Sequence, residues 1–408
     1  MTFTLERTDA PQSTSRVGWA ILALAVGGFA IGTTEFVTMG LLPQIAHGVH
    51  VSIPAAGHVI SAYALGVVVG APSIAALAAR LPRKGLLMGL MVAFVVGNLA
   101  AALAAGYGSL VAARFLSGLP HGAYFGVASL VAADLVEAGR RGRAVSRVML
   151  GLAVANVAGV PAATWMGQHL GWRSAYVAVA GLGALTIASV ALAVPRTPRD
   201  PHASSRNELR AFTKPQVWLT AAAGAVGFGG MFAMYSYIAP TVLHVARLGQ
   251  GYVPLYLLVF GCGMIAGTAL GGRLADWSIL RTLLSAFLVM ALLLAAFTQT
   301  AHWLVPGLLN GFLIAVTTAA VAVVLQMRLM QVAGEAQTLG AALNHASLNL
   351  ANALGAWLGG AVIAAGFGFT APSWVGVVLA LGGLAVMAVS ARLHRQHARR
   401  SVAASLAA

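Results

Sequence analysis

Apolar runs long enough to cross a bilayer recur along the whole chain, at about 17–41, 54–79, 85–105, 109–133, 144–168, 173–194, 216–240, 253–274, 280–299, 304–327, 338–363 and 373–392. A hydrocarbon core ~30 Å thick takes ~20 helical residues, so the pattern predicts twelve spanning helices with both termini on one side. Barrel strands would be ~10 residues of strict alternation, which these runs are not. Only 8% of residues are charged, against about 25% in soluble domains. The 48 glycines fit the same class, because small residues let membrane helices approach closely. The single cysteine, Cys262, excludes an internal disulfide or a Cys-based zinc site; beside glycines in an apolar run, it reads as a packing residue. No small-residue cleavage site follows the first run, which therefore reads as a retained span and not as a removed leader.

Lysine and arginine set the orientation. With a cytoplasmic N-terminus, 21 of the 24 fall in inner segments, Arg328 among them. The exceptions are Arg114 within a span, Arg173 at an outer edge and Arg247 in an outer loop. This is a strong positive-inside bias. It accounts for the net charge of +15 without nucleic acid, since basic residues facing the cytosol meet anionic headgroups. Trp19, Trp172, Trp218, Trp277, Trp303 and Trp374 fall near span ends, as an interfacial belt should.

Of nine acidic residues, eight fall in tails, loops or span ends, and Glu35 alone lies well inside a span. A charged group there costs roughly 2.5–3.5 kcal/mol on insertion scales, so the default reading is functional. Low dielectric favours the neutral acid over the carboxylate, and a carboxyl that loads and releases a proton is what a proton-coupled carrier needs. The competing reading is a Glu held in a structural hydrogen bond or ion pair.

The segment 195–215, PRTPRDPHASSRNELRAFTKP, is polar and proline-rich and divides the chain into six spans plus six. The halves resemble each other at an offset of 197 residues: Gly27 maps to Gly224, Gly32 to Gly229, Pro43 to Pro240, Gly66 to Gly263 and Gly70 to Gly267. Parallel six-span repeats with a substrate site between them are a transporter architecture. Glu35 falls on Phe232, so the acid is not duplicated. The chain thus divides into a tail (1–16), a first six-helix bundle (17–194), the cytoplasmic linker (195–215), a second bundle (216–392) and a basic tail (393–408).

Three stretches carry further chemistry. On one face of the fourth span, Arg114, Ser117, Gly118 and His121 stand at i, i+3, i+4 and i+7. A guanidinium near Glu35 would oppose the effect of burial on the carboxyl. His121 reads equally as a proton carrier and as an inter-helix hydrogen-bonding group. In the eleventh span His345, Asn349 and Asn352 share one face at i, i+4 and i+7 as a polar stripe, with Asn344 a further candidate binding residue beside it, suited either to a hydroxylated solute or to inter-helix hydrogen bonds. Thr34, Thr38, Phe125, Tyr235 and Tyr237 complete the candidate substrate set, the tyrosines reading also as packing. No histidine cluster has the company of a metal site, and no nucleophile–base cluster marks an enzyme.

Ala75 to Lys84 resembles the major facilitator signature G-x-L-A-D-R-x-G-R-K, with Ala79 in the Asp position and both Gly positions replaced. The second-half copy, Gly272-Arg273-Leu274-Ala275-Asp276, keeps the Gly and the Asp. Resemblance to that family implies a conformational latch formed here by Arg80, Arg83, Lys84, Asp134 and Asp276, with Asp134 as substitute partner for Arg80; topogenic charge is the other reading. Arg114 to Gly122 looks like the R-x-x-x-G element of proton-coupled members, and Asn156, Gly159 and Pro161 resemble a degraded antiporter signature. Over nearly its full length the chain resembles the drug:proton antiporter branch, near the bacterial arabinose or sugar-efflux permeases, through GTTEFVTMGLLPQIA, RFLSGLPHGAYFG, ANVAGVPAATWMGQHLGWR and ALNHASLNLANALGAWLGG.

What the resemblance implies is an all-α membrane protein of two pseudo-symmetric six-helix bundles in the bacterial inner membrane. It would work as a monomer, without cofactor, metal or nucleic acid. The expected activity is export of a small solute, a sugar such as arabinose or a drug, in exchange for protons carried by Glu35 and tuned by Arg114 and His121. A proton-independent facilitator and a proton-coupled uptake symporter are the alternatives on the same fold.

Overall fold

The computed structural model describes residues 14–78, 81–137, 140–195, 213–334 and 337–407. The described residues are helical with no strand: α1 Thr14–Gly40, α2 Leu42–Gly48, α3 Ile53–Ala78, α4 Arg83–Ala102, α5 Tyr107–Asp134, α6 Arg141–Val154, a π-helical turn Ala155–Gly159, α7 Val160–Leu170 and α8 Trp172–Ala193. The second half holds α9 Pro215–Gly227, α10 Gly229–Tyr235, α11 Ile238–His244, α12 Tyr252–Thr300, α13 Leu304–Ala333, α14 Gln337–Ala364 and α15 Ala371–Ala407. The N-terminal tail to residue 13, Arg80 and residues 196–212 of the expected linker lie outside the described residues.

Among the described residues, eleven helical stretches are long and apolar enough to cross a membrane. α12 is counted once among them although it runs 49 residues. At 1.5 Å per residue that is about 74 Å, more than twice the hydrocarbon thickness. Ser278, between the expected spans 253–274 and 280–299, has φ −172° and ψ 110° and interrupts the helix there.

Other expected spans are less regular than their apolar runs suggest. The seventh, 216–240, is three helices, α9 to α11, with steps at Phe228 and at Ser236–Tyr237. The fifth carries the π turn that joins α6 to α7.

Close helix pairs explain the glycines. A Cβ at Gly66 or Gly70 of α3 would strike the backbone carbonyls of Phe115 and Leu119 in α5. Their counterparts Gly263 and Gly267 in α12 would strike those of Phe312 and Val316 in α13. Both partners are displaced by the same 197 residues (312 − 115 and 316 − 119). The repeat therefore extends from the residues to the contacts they make.

One apolar core joins α1, α4, α5, α6 and α8 around Phe94, Tyr124 and Val179. A second, around Phe232, Phe287 and Leu294, is built mostly from the later helices. The two halves of the chain meet mainly near the ends of α1 and α7 and the start of α3. There Ser61 Oγ donates to Ala353 O at 3.1 Å, Gln168 Nε2 donates to Gln250 O at 3.0 Å, and Gln44 reaches Gln250 at 3.4 Å. Deeper, Gly261 of α12 sits against the carbonyl of Asn156 so closely that a Cβ would collide.

Arg328 is 1% exposed, and its guanidinium donates to Gln331 Oε1 (2.9 Å) and Gln216 Oε1 (3.3 Å). Two expectations need correction. Trp172 is buried rather than interfacial; it fills the space beside Gly48 and lies under the Arg173 guanidinium at 4.3 Å. Cys262 is exposed, not packed.

Candidate functional site

α1 carries Thr33, Thr34, Glu35 and Thr38 on an apolar helix, and all four are buried. Glu35 is 7% exposed and makes no hydrogen bond or ion pair with a described residue. Such an arrangement is costly for a carboxylate, so the folded chain holds a carboxyl without the partner a structural ion pair would require.

The neighbouring polar groups are all engaged. Thr34 Oγ1 donates to Asn98 Oδ1 at 2.6 Å, and Asn98 Nδ2 donates to Phe94 O. Arg114 of α5, fully buried, donates from Nη1 to Thr34 Oγ1 (3.0 Å) and from Nη2 to Thr34 O (3.1 Å). Its guanidinium carbon lies 4.2 Å from the Tyr63 ring centroid and 5.3 Å from that of Tyr176. Two aromatic faces, a hydroxyl and a carbonyl thus hold this cation, leaving only Nε without a partner. Arg114 stays within electrostatic reach of Glu35 without bonding it. Thr38 shares a hydrogen bond with Tyr176 OH at 2.9 Å.

His121 shares a 3.0 Å hydrogen bond through Nδ1 with Tyr63 OH. Its ring packs on Phe125, centroids 5.4 Å apart, and Phe125 stacks on His345 of the second half at 6.0 Å and 2°. Phe36, next to Glu35, reaches across in the same way to Phe232 (6.4 Å, stacked) and Tyr235 (6.0 Å, edge-on). Phe232 occupies the position equivalent to Glu35 in the repeat, so the residue that follows the acid stacks on the acid's counterpart across the seam between the halves.

The α14 stripe is buried at Asn344, Asn349 and Asn352. Asn349 Nδ2 donates to His345 O at 3.0 Å, but among the described residues Asn344 Oδ1, Asn349 Oδ1 and both amide atoms of Asn352 have no partner. Buried polar atoms are normally satisfied, so a stripe of open amides fits a ligand surface better than inter-helix bonding. The tyrosines divide otherwise. Tyr237 OH donates to Ala356 O at 2.7 Å, wedged among Gly57, Gly359 and Gly360, and Tyr235 stacks on Phe260 at 4.1 Å. Tyr237 is bound up in packing, while Tyr235 belongs to the aromatic cluster at the seam.

Asn156 and Gly159 lie in the π turn, and Pro161 follows it. Asn156 Nδ2 donates back to Leu152 O at 3.0 Å, and Gly159 packs against Thr33 and Phe29 of α1. π turns occur frequently at functional sites, and this one separates α1 from α12. At the end of α5, Asp134 pairs with Arg83; its expected partner Arg80 lies outside the described residues. Lys84 Nζ donates to Ala191 O at 2.6 Å. Asp276 is exposed and forms no ion pair with a described residue.

Tyr63, Asn98 and Tyr176 escape the sequence reading. An Asn in the middle of the third apolar run was the available signal for Asn98; the tyrosines looked like ordinary packing aromatics.

Residues 24–334 match the sequence profile described as Major Facilitator Superfamily. The chain belongs to that superfamily. As a Major Facilitator Superfamily member it is a multi-pass membrane transport protein and not an enzyme. It is 41% identical to "Inner membrane transport protein YdhP" of Escherichia coli (strain K12), over 92% of this chain and 97% of that one. It is 33% identical to a "Chloramphenicol resistance protein" of Streptomyces lividans, over 89% and 94% of the two chains. In fold it is similar to a bacterial homologue of the human lysosomal transporter Spinster, with a TM-score of 0.75 over 93% of this chain and 98% of that one, at 18% identity.

Proposed function

We propose that the protein exports a small organic solute across a bacterial inner membrane in exchange for protons, by alternating access. The observation that carries this reading is the Glu35 carboxyl, buried within α1 and without a bonded partner among the described residues. A group so placed is neutral when loaded and unstable when charged, until switching changes its surroundings. Exchange for protons is then a matter of which side Glu35 faces when it releases.

In this reading the break at Ser278 makes α12 two spans, giving twelve in two six-helix bundles, 17–194 and 216–392, with both termini cytoplasmic. The bundles rock about the seam, and a single chain suffices. The open amides of Asn344, Asn349 and Asn352 bind the solute, with Phe125, Thr34, Thr38 and Tyr235 around it. Arg114 and His121 tune the proton site. Arg83 and Asp134, with Lys84, Arg80 and Asp276, latch the cytoplasmic ends. The solute is a drug-like molecule, as the name of the chloramphenicol relative suggests, or a sugar such as arabinose.

The test is solute-induced proton movement in proteoliposomes under an imposed pH gradient, with chloramphenicol and arabinose as probes. Wild type should move protons when solute is added, and Glu35→Gln should bind solute yet move none. Solute flux that ignores pH in both proteins would make this a facilitator. Uptake of solute with protons would make it a symporter.

A further inference from the structure

The repeat brings a pocket to the place where the first half of the chain carries an ion pair. This pocket, of about 290 Å³, lies beside the break in α12 and is lined by Ile279 of α12 with Met327, Met330 and Gln331 of α13. At the offset of 197 these residues correspond to Pro82, Leu130, Ala133 and Asp134. In the first half Arg83 meets Asp134 there. In the second half Leu280 stands for Arg83 and Gln331 for Asp134, so neither member of the pair is repeated.

The acid is gone, but cations bracket the opening. Arg281, the counterpart of Lys84, follows two residues after Ile279 and is exposed. Lys84 donates to a backbone carbonyl, whereas the Arg281 guanidinium lies over the exposed Trp277 ring, 5.9 Å from its centroid. On the other side Arg328, beside Met327, is buried and donates to Gln331 Oε1 at 2.9 Å. Its Nε is buried with no partner among the described residues. Neither arginine forms an ion pair with a described residue, although a buried charge without a counter-ion is costly. Arg273 and Asp276, on the far side of the break, are exposed and opposite in charge. Glu335 lies outside the described residues.

We infer that this pocket holds the headgroup of an anionic glycerophospholipid, whose phosphate supplies the negative charge that Asp134 supplies in the first half. Basic pockets between spanning helices bind such headgroups, and an exposed tryptophan beside the opening fits the membrane–water boundary. Arg328 takes Gln331 Oε1, which leaves Gln331 Nε2 as the donor available to the phosphate. Arg281 faces the same anion from the α12 side, and Arg328 adds its charge from behind Gln331. The volume is at the low end for a small-ligand site, about 300–1,000 Å³. It takes a headgroup and not the acyl chains, which lie outside it along Ile279, Met327 and Met330, where methionine adapts to irregular apolar partners. A lipid held in this way is independent of the solute and of proton exchange.

The test is lipid retention, read by native mass spectrometry of the full chain in detergent with phosphatidylglycerol and phosphatidylcholine at equal concentration. Wild type should keep one phosphatidylglycerol in preference to phosphatidylcholine. Arg281→Gln should lower that retention about fivefold, the effect of one basic residue near an anionic headgroup. Gln331→Glu puts a carboxylate at the position equivalent to Asp134 and keeps an oxygen for Arg328, so it should abolish the preference. Arg247→Gln, on the loop that leads into the far end of α12, should leave retention unchanged. Equal retention of the two lipids by wild type, an unchanged preference in either pocket variant, or an equal loss in Arg247→Gln overturns the assignment. Displacement of the lipid by inorganic phosphate would overturn it in favour of a free anion. A dimer that Gln331→Glu abolishes would overturn it in favour of a second copy of the chain.

Discussion

Arg114 donates to the backbone carbonyl of Thr34, the peptide just before Glu35, and not to the Glu35 carboxyl. The cation and the acid are thus neighbours that do not pair. Replacing Arg114 by Lys keeps the charge but loses the fork that reaches both the Thr34 carbonyl and hydroxyl. The expected cost is about 1–3 kcal/mol, read as a lower Tm of the purified protein. A variant as stable as wild type would mean that the aromatic faces of Tyr63 and Tyr176 hold the group unaided.

At Gly57 the α3 backbone abuts the Tyr237 hydroxyl. Gly57→Ala should therefore destabilise by about 1–3 kcal/mol through overpacking. Combining it with Tyr237→Phe, which removes the obstructing oxygen, should recover part of that loss. The double-mutant cycle then gives a coupling energy of opposite sign to the single effects. Additive losses would count against the contact.

Gly261 should be far less tolerant. Its Cβ would meet the Asn156 backbone, which has no flexible end to move aside. Gly261→Ala is expected to abolish transport while the protein still inserts. Gly85→Ala, at a position with nothing within 4 Å, should be silent in the same vesicle assay.

Asn352 offers the opposite case, because neither amide atom has a partner among the described residues to lose. Asn352→Leu should leave Tm unchanged or raised, as removing an unsatisfied buried group is not costly. Solute affinity should fall roughly tenfold, the size of one lost hydrogen bond. A clear drop in Tm with intact affinity would make the stripe structural.

The Arg83–Asp134 pair is partly exposed, at 24% and 43%. Breaking it with Asp134→Asn should change stability by less than about 1 kcal/mol. If the pair latches one end of the transporter, the transport rate shifts all the same, and exchanging the two residues restores it. A rate indifferent to both variants would remove the latch.

What could be read from the residues was whatever depends on local length and pattern. Apolar runs pointed to a helical multi-span chain, of which the described residues show eleven stretches fit to cross a membrane, and the offset at Gly66 and Gly70 gave a repeat that the contacts of Gly263 and Gly267 reproduce. Glu35 was conspicuous because charge in an apolar run is rare. The geometry of Arg114 was not legible, since its partner is a backbone carbonyl eighty residues away in sequence. Tyr63 and Tyr176 were invisible for a related reason: an aromatic in an apolar helix looks the same whether it faces lipid or a guanidinium. The steps at Phe228 and within the fifth span come from packing between helices, for which the apolar run carries no sign.

The π turn at Ala155–Gly159 has one more consequence. Along this span Gly151 lies against Ala25, Gly159 against Thr33 and Gly167 against Leu41, always 126 positions apart (151 − 25, 159 − 33, 167 − 41). Deleting one residue from the turn would restore a regular helix but rotate everything after it by about 100°. Thr164 and Gly167 would then swing away from Gly40 and Leu41. The wide turn acts as a shim that keeps two parallel rods in register, so this stretch should accept a change of residue far more readily than a change of length.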